Sequence, residues 1–426
     1  MKTIEIIGGG TVSHVRNHLA LAAPAYGNTA RAIHRYLYLQ ETYDLLKLQG
    51  NSYSKNLYLT KMASSGESNL ETNEDISNLV DKLIANQDTK IIFFNPALVD
   101  YNGYVTTKSS YSFAGNTKSG KYEPRLKTSD GPVDLYLFPA DKIVSRIRKH
   151  RKDIFLVAFK TTCGATEDEQ FIAGLNLLKT ASCNLVLAND TKTRVNMIIT
   201  PEQARYSVST DRDSVLADLV IMALQRSNNT FTRSTVVDGD PVNWNDNQVP
   251  ASLRKVVDHC ISKGAYKPFN GVTVGHFAAK LDNKTFLTSR RKTNFNNLDS
   301  VGLVKIESSG PNSVIAHGSK PSVGGQSQRI IFNEHPETDC IVHFHCKPKP
   351  NATLSVKSQM YFECGSHECG KNTSSGLREE GDDIKCVYLD KHGPNIVFNK
   401  DIDPQRVIDF IDKTFDLSSS TDEIVR

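Results

Sequence analysis

Residues 3–11 read Thr3-Ile4-Glu5-Ile6-Ile7-Gly8-Gly9-Gly10-Thr11. An isoleucine-rich run that ends abruptly in three glycines is a buried strand entering a turn, because β-branched side chains suit the pleated backbone and glycine interrupts it. Outward from it, strand-like and helix-like stretches alternate over the first 225 residues. Helical patterns over 28–46, 141–150, 167–181 and 212–225 are interleaved with strand-like runs at 90–94, 133–138, 154–159, 185–187 and 197–199. In 167–181, Phe171, Leu175 and Leu178 recur at helical spacing. Strands alternating with helices predict an α/β fold with a parallel sheet and crossovers. The stretches 51–76 and 104–130 read as polar insertions or flaps.

Residues 227–249 interrupt this pattern. They are rich in Asn, Asp, Thr, Ser and Pro, carry the only tryptophan, Trp244, and read as a linker. A helix over 251–263 follows, then strand-like runs at 272–281, 285–288, 303–307 and 313–317. A helix at 328–333, a strand at 340–344, strands at 385–389 and 395–398, and a helix at 404–415 complete the chain. Two α/β domains are expected, 1–226 and 250–426, joined by 227–249, which suits a length of 426 residues.

With 38% hydrophobic and 23% charged residues the composition is that of a globular protein. The net charge of +4 speaks against a large basic face for nucleic acid, while leaving room for a local phosphate pocket. Apolar runs such as 91–94 and 154–159 fall far short of the roughly 18 residues a membrane span needs. No signal peptide precedes the strand-like run at Ile4, so a cytoplasmic location and reduced thiols are expected. Five of the eight cysteines lie between 340 and 386, but none shows CxxC spacing, and they read as thiols and not as a zinc cluster.

A strand ending in Gly8-Gly9-Gly10-Thr11 lets backbone N–H groups approach a phosphate. It equally suits a tight strand-to-loop turn, and both readings stand. The ordered set Gly9-Gly10-Thr11 with Val15-Arg16, Ala97-Leu98-Val99-Asp100-Tyr101, Val157-Ala158-Phe159-Lys160-Thr161 and Leu187-Ala188-Asn189-Asp190 resembles phosphopantothenate–cysteine ligase over about residues 1–225. The resemblance implies a Rossmann-like fold and activation of a carboxylate by CTP, with Mg²⁺, as an acyl-cytidylate that is then condensed with an amine. It implies that Gly8, Gly9, Gly10 and Thr11 lie along the triphosphate. Ala97, Asp100, Arg125, Lys127, Phe159, Lys179 and Asn189 complete the nucleotide site, and Arg16 and Asn17 stand at the reacting group. The family's asparagine four residues after the arginine is Ala20 in this chain, which removes a donor from the developing oxyanion.

In the second half, His343-Phe344-His345 ends an apolar run. Alternate residues of a strand face one side, which suits a divalent metal and equally suits two packed histidines. His392 follows in Asp390-Lys391-His392-Gly393-Pro394. Together with Phe286-Leu287-Thr288, Lys320-Pro321-Ser322, the Pro336-x6-His343-x-His345 block and Tyr361 through Ser366, these residues resemble the class II aldolase/adducin family over about 250–420. The resemblance implies Zn²⁺, or another divalent metal, on His343, His345 and His392, and a phosphate-contacting loop at Ser289, Arg290 and Arg291. The family's acid three residues after the matched proline is Gly324 in this chain, so Glu368 or Glu334 is expected to substitute.

The whole reads as a bifunctional small-molecule enzyme. A CTP-dependent carboxylate–amine ligase-like domain is fused to a zinc-dependent aldolase-like lyase or epimerase domain acting on a phosphorylated sugar-like substrate. A catalytically diverged nucleotide- and metal-binding protein is the alternative. Neither nucleic acid nor membrane is expected as a partner, and a homo-oligomer, dimer or tetramer, is.

Overall fold

Most β-rich runs of the first 200 residues are too apolar to leave in water, and five strands lie side by side in one sheet. In this computed structural model, which describes residues 1–39, 42, 44–46, 50, 52–106, 119–308, 313–379 and 383–421, the chain divides into two units. One comprises Met1–Thr200 and Ser207–Ser227, the other Pro201–Tyr206 and Asn228–Arg426.

In the first unit, β1 (Lys2–Gly10), β2 (Tyr53–Leu59), β3 (Thr89–Ala97), β4 (Phe155–Thr162) and β5 (Leu185–Asp190) pair in parallel. With antiparallel β6 (Asn196–Ile199) they lie in the order β6-β5-β4-β3-β1-β2. Helices α1 (Asn28–Tyr36), α2 (Asn73–Ala85), α3 (Val144–His150) and α4 (Glu167–Ala181) make the crossovers, and α5 (Arg212–Arg226) follows. Both α2 and α4 begin at a capping box, Thr72 with Asp75 and Thr166 with Glu169, which satisfies orphan amides at the first turn. This is the doubly wound α/β class expected from the sequence. The chain leaves β1 and β3 towards opposite sides, so a topological switch point lies between their carboxyl ends, where open α/β sheets take ligands.

The expected flap at 51–76 is instead strand β2 and the start of α2. Strand β2 lies at the end of the sheet, where Ser54, Lys55 and Asn56 are only half-buried, and its polarity hides it in the sequence. Of the expected flap at 104–130, residues 107–118 lie outside the described residues. Tyr101–Thr106 pairs with Asp134–Pro139 in a separate antiparallel hairpin, so the run at 133–138 does not join the main sheet.

In the second unit, a sheet runs β7-β11-β10-β9-β8-β12-β14-β13. The strands are β7 (Arg233–Val237), β8 (His276–Lys280), β9 (Thr285–Ser289), β10 (Leu303–Ser308), β11 (Ser313–His317), β12 (Cys340–His343), β13 (Ile384–Leu389) and β14 (Gly393–Phe398). The expected linker belongs to this unit, because β7 pairs with β11 and Trp244 is buried. The indole N–H donates to Asp258 Oδ1 (3.0 Å), and the ring meets Phe277 edge-on. The stretch is polar because it combines an exposed strand with a loop held by backbone bonds between Val242 and Leu303.

Both faces of this sheet are covered. Helices α6 (Ala251–Ser262) and α9 (Pro404–Thr414) contribute to one core with Trp244, Phe277 and Val342. On the other face Ala278, Ile331 of α7 (Gly325–Glu334) and Ile341 pack together. Alternation along β12 sends Cys340 and Val342 into the first core and Ile341 into the second, so His343 emerges on the Ile341 face. No described helix is long and apolar enough to cross a membrane.

Phe277 is fully buried and ringed by Trp244, Tyr266 and Phe295. Phe277→Ala is expected to cost about 3–5 kcal/mol, read as a lower urea midpoint. A midpoint unchanged from wild type would contradict this packing.

Candidate metal centre and nucleotide site

The register of three strands builds the first site. His276 of β8 lies directly opposite His343 of β12, which in turn lies opposite Asn395 of β14. Strand β12 ends at His343, and His345 follows just beyond it, with the two rings 5.0 Å apart. His392 comes from the turn joining β13 to β14. Gly393 there has φ +117, and a Cβ on it would overlap the Phe344 carbonyl, so only glycine lets this turn close over β12. The His392 ring consequently sits 4.7 Å from that of His343 and 4.8 Å from that of His345.

All three imidazoles are buried, and their ligand nitrogens lie within 4.8 Å of one another. No carboxylate or thiol of the described residues joins them. The His343 Nδ1–H donates to the Pro394 carbonyl (2.7 Å), which leaves the lone pair on Nε2. That Nε2 is buried and has no partner among the described residues. Burial lowers the His343 pKa to about 4, with the Pro394 bond opposing, so the ring is neutral at pH 7. A buried, neutral, unpartnered imidazole nitrogen facing two more imidazoles fits a divalent cation.

The acid expected beside this centre is not there. Glu368, in the first turn of α8 (His367–Gly376), accepts hydrogen bonds from the backbone N–H and hydroxyl of Thr230. Glu334 is exposed at the far end of α7 from Gly324. A Cβ on Gly324 would overlap the ring of His276, which fills that volume. His276, like His343, is pushed well below its ordinary pKa by burial. It escaped the sequence reading because nothing local marks it, and only the β8–β12 register brings it here.

Ser289 ends β9 with its hydroxyl buried and unpartnered among the described residues. Its carbonyl accepts from Ser322 N–H, and Arg291 N–H donates to the Lys320 carbonyl, so this loop lies along the segment that leads into α7. Arg290 and Arg291 are exposed.

In the first unit, Gly8–Gly10, Ala97, Phe159 and Asn189 share the carboxyl edge of the sheet, as expected of a ligand site there. The glycines, however, are packed against protein. A Cβ on Gly8, Gly9 or Gly10 would overlap Ala30, Thr60 or the Ala23 carbonyl respectively. Gly10 and Thr11 N–H groups donate to the Ala25 and Ala97 carbonyls (2.7 and 3.0 Å), and the Thr11 hydroxyl donates to Asn73 Oδ1 (2.6 Å). The expected turn at Gly8–Gly10 is instead the end of β1, paired with β3, and the amides of Gly10 and Thr11 are not free for a phosphate. Asp100 is exposed and ion-paired with Lys142 (2.6 Å), and Arg125 and Lys127 are exposed. Arg16 donates to the Val15 and Val105 carbonyls, and Asn17 Nδ2 to the Lys121 carbonyl. Lys179 lies in the last turn of α4. The crossover puts that turn at the opposite end of the sheet from Phe159 and Asn189, so Lys179 is not brought to this edge.

A cavity of about 330 Å³ opens at Asn189 and is lined also by Asp190, Thr191, Arg194, Asn196, Thr210 and Arg212. Arg212 donates to Asn196 Oδ1 (2.6 Å) and to the Thr29 hydroxyl (2.8 Å) in the first turn of α1. Neither arginine stood out in the sequence, since each lies in an ordinary polar turn or helix start.

No family model matches this sequence, and no curated protein matches it. Among solved structures the chain is similar to a DNA/pantothenate metabolism flavoprotein from Streptococcus pneumoniae, at 19% identity over 53% of this chain and 99% of that one, with a TM-score of 0.42. It is similar to an L-fuculose 1-phosphate aldolase, at 17% identity over 36% of this chain and 76% of that one, with a TM-score of 0.27. It is also similar to YgbL of Klebsiella pneumoniae, at 16% identity over 40% and 88% of the two chains, with a TM-score of 0.29.

Two outcomes are expected. Gly393→Ala forces the turn away from Phe344 and costs about 1–3 kcal/mol in backbone strain. It should scatter the three imidazoles and lower metal content well below that of wild type, while Gly264→Ala, where a Cβ meets nothing, leaves it unchanged. Metal loss in both or neither would contradict the close approach. The second outcome concerns pH. Unfolded His343 binds a proton near its ordinary value, about 6.5, whereas the folded protein refuses it until about 4. Metal-free protein therefore loses stability as pH falls from about 6.5 towards 4, by about 3 kcal/mol for this one group. Urea midpoints between about pH 7 and 5.5, above the carboxylate range, should fall with pH, and a flat profile would contradict a buried neutral His343.

Proposed function

We propose that the second unit is a zinc-dependent lyase or epimerase acting on a phosphorylated sugar-like substrate, and that the first is a CTP-dependent carboxylate–amine ligase-like domain. The observation that carries the proposal is the buried cluster of three imidazoles with its unpartnered His343 Nε2. His343, His345 and His392 would hold the ion, with the Pro394 carbonyl fixing the His343 ring. Zn²⁺ bound there would supply Lewis acidity to a hydroxyl–carbonyl pair, because three neutral ligands leave it its full charge and an open position. The chain's own residues supply the rest. The buried Ser289 hydroxyl, Arg290, Arg291 and the N-terminal turn of α7 favour an anion such as a substrate phosphate.

For the first unit, support comes from the switch point between β1 and β3 and from the arginine-lined cavity at Asn189. Arg194 and Arg212 offer charge to a triphosphate where the amides of Gly10 and Thr11 cannot. Phosphopantothenoylcysteine synthesis or a related carboxylate–amine ligation is the reaction proposed, with Mg²⁺ accompanying CTP. Ala20 in place of an amide donor is expected to make it slow. We propose also that the chain assembles with copies of itself in the cytoplasm. The hairpin arm carrying Leu135, Tyr136, Leu137 and Phe138 is exposed, as an interface awaiting a second copy would be.

Metal analysis is the decisive test. Wild type should carry one zinc per chain, and His343→Ala and His392→Ala should carry none. Stoichiometric zinc in both variants, or none in wild type, removes the centre. Calorimetry tests the first unit, where CTP should bind at least about tenfold more tightly than ATP or GTP, a difference of about 1.4 kcal/mol. Equal heats for all three would end the cytidine reading. Light scattering should give a dimer or tetramer, and a monomer at micromolar concentration would contradict the assembly.

A further inference from the structure

We propose that His276 is a substrate-binding residue of the metal centre, donating a hydrogen bond from Nε2 to an oxygen of a hydroxy-carbonyl ligand chelated at the three-histidine ion. This rests on the metal reading of the second unit and adds to it a fourth imidazole with a different task.

Four observations carry it. The β8–β12 register sets His276 directly opposite His343, and their rings lie 4.6 Å apart at 34°, on the sheet face that bears the centre. Gly324 is shaped around the ring, since a Cβ there would overlap its Cδ2 and Nε2 atoms, so the glycine exists to admit the histidine. The Gln328 side-chain amide donates to His276 Nδ1 at 2.8 Å, which makes Nδ1 the acceptor and puts the imidazole proton on Nε2. Finally, Nε2 makes no hydrogen bond among the described residues, and His276 keeps 5% of its surface exposed, so this N–H has no internal partner and is not sealed off.

A neutral N–H donor has a distinct use beside a divalent ion. A cation would be repelled by the metal, and a carboxylate would compete for it as a ligand. A neutral imidazole does neither, and it can meet negative charge that develops on an oxygen already polarised by the ion. The ligand class implied is one with two adjacent oxygens, one carbonyl-derived and one hydroxyl-derived. The His276 ligand nitrogens fall outside the group within mutual coordinating reach, which separates its task from those of His343, His345 and His392.

The experiment uses the full chain with acetohydroxamate as a two-oxygen chelating probe. Zinc content is measured first. Wild type, His276→Ala and His276→Gln should all hold one zinc per chain, because His276 is not a ligand. Loss of zinc in the alanine variant alone would make His276 a ligand and overturn the proposal. Zinc missing from wild type would overturn the metal reading itself, and this inference with it, before any probe is added. Acetohydroxamate affinity, by calorimetry, should fall about tenfold or more in His276→Ala. It should recover to within about threefold of wild type in His276→Gln, which keeps an amide donor. Equal affinity in wild type and alanine variant, or equal loss in both variants, overturns the donor role while leaving the metal centre intact. If His276→Ala does not fold, ¹⁵N spectra of histidine-labelled wild type decide. The Nε2–H tautomer of His276 is expected, and an Nδ1–H tautomer overturns the proposal.

Discussion

The second unit depends on one close approach, that of Gly393 to the carbonyl of Phe344. Strands β13 and β14 form a hairpin whose turn must cross the end of β12 at backbone distance. A side chain at 393 would hold the turn away by more than an ångström, and the positive φ would strain any other residue. Because the turn does close, the Pro394 carbonyl reaches His343 Nδ1, and His392 comes over the same face. The tautomer of His343 and the closure of the cluster follow from that contact. The second fit of this kind, Gly324 around His276, operates on the opposite flank of β12.

The first unit is organised by a different constraint. Thr11, fully buried, links the end of β1 to the start of α2 and the loop after β3. Its hydroxyl donates to Asn73 and accepts from Val99 N–H, while Asn73 Nδ2 donates to the Val99 carbonyl. This network spans the switch point and holds β1 and β3 in register where their crossovers diverge. The glycines that end β1 beside it serve packing, and the charge available to an anion lies further along the edge, at Arg194 and Arg212. Nearby, Asp190 is held far below the usual carboxylate range by N–H groups of Thr193, Gly164 and Ala165 and by the Thr162 hydroxyl, although burial opposes this.

Much of this architecture was legible in the chain. The isoleucine-rich strand into glycine, the helix at 167–181 with its Thr166–Glu169 box, and the alternation of elements are local patterns, and local patterns survive folding. The His343-x-His345 pair was legible as a spacing, although β12 ends at His343 and His345 lies just beyond the strand. What escaped were elements whose polarity reflects position. Strand β2 at the sheet end and β7 in the expected linker look like loops because much of each faces solvent. Glu368 and Lys179 were placed differently for another reason, since what a side chain meets depends on how elements distant in the chain pack.

The sequence by itself determined the α/β class and the His343-x-His345 spacing, because these rest on local patterns, whereas His392 was marked only by the resemblance to the class II aldolase/adducin family and reaches the other two through the β13–β14 turn. Tertiary structure alone decided that His276 stands where an acid was expected, that Glu368 is spent on Thr230, and that two arginines line a cavity at Asn189. The first two are contacts between residues far apart in the chain, such as the 138 positions from Thr230 to Glu368. Such pairings are set by strand register and by the backbone clearance that a glycine leaves, and no local pattern of residues encodes either.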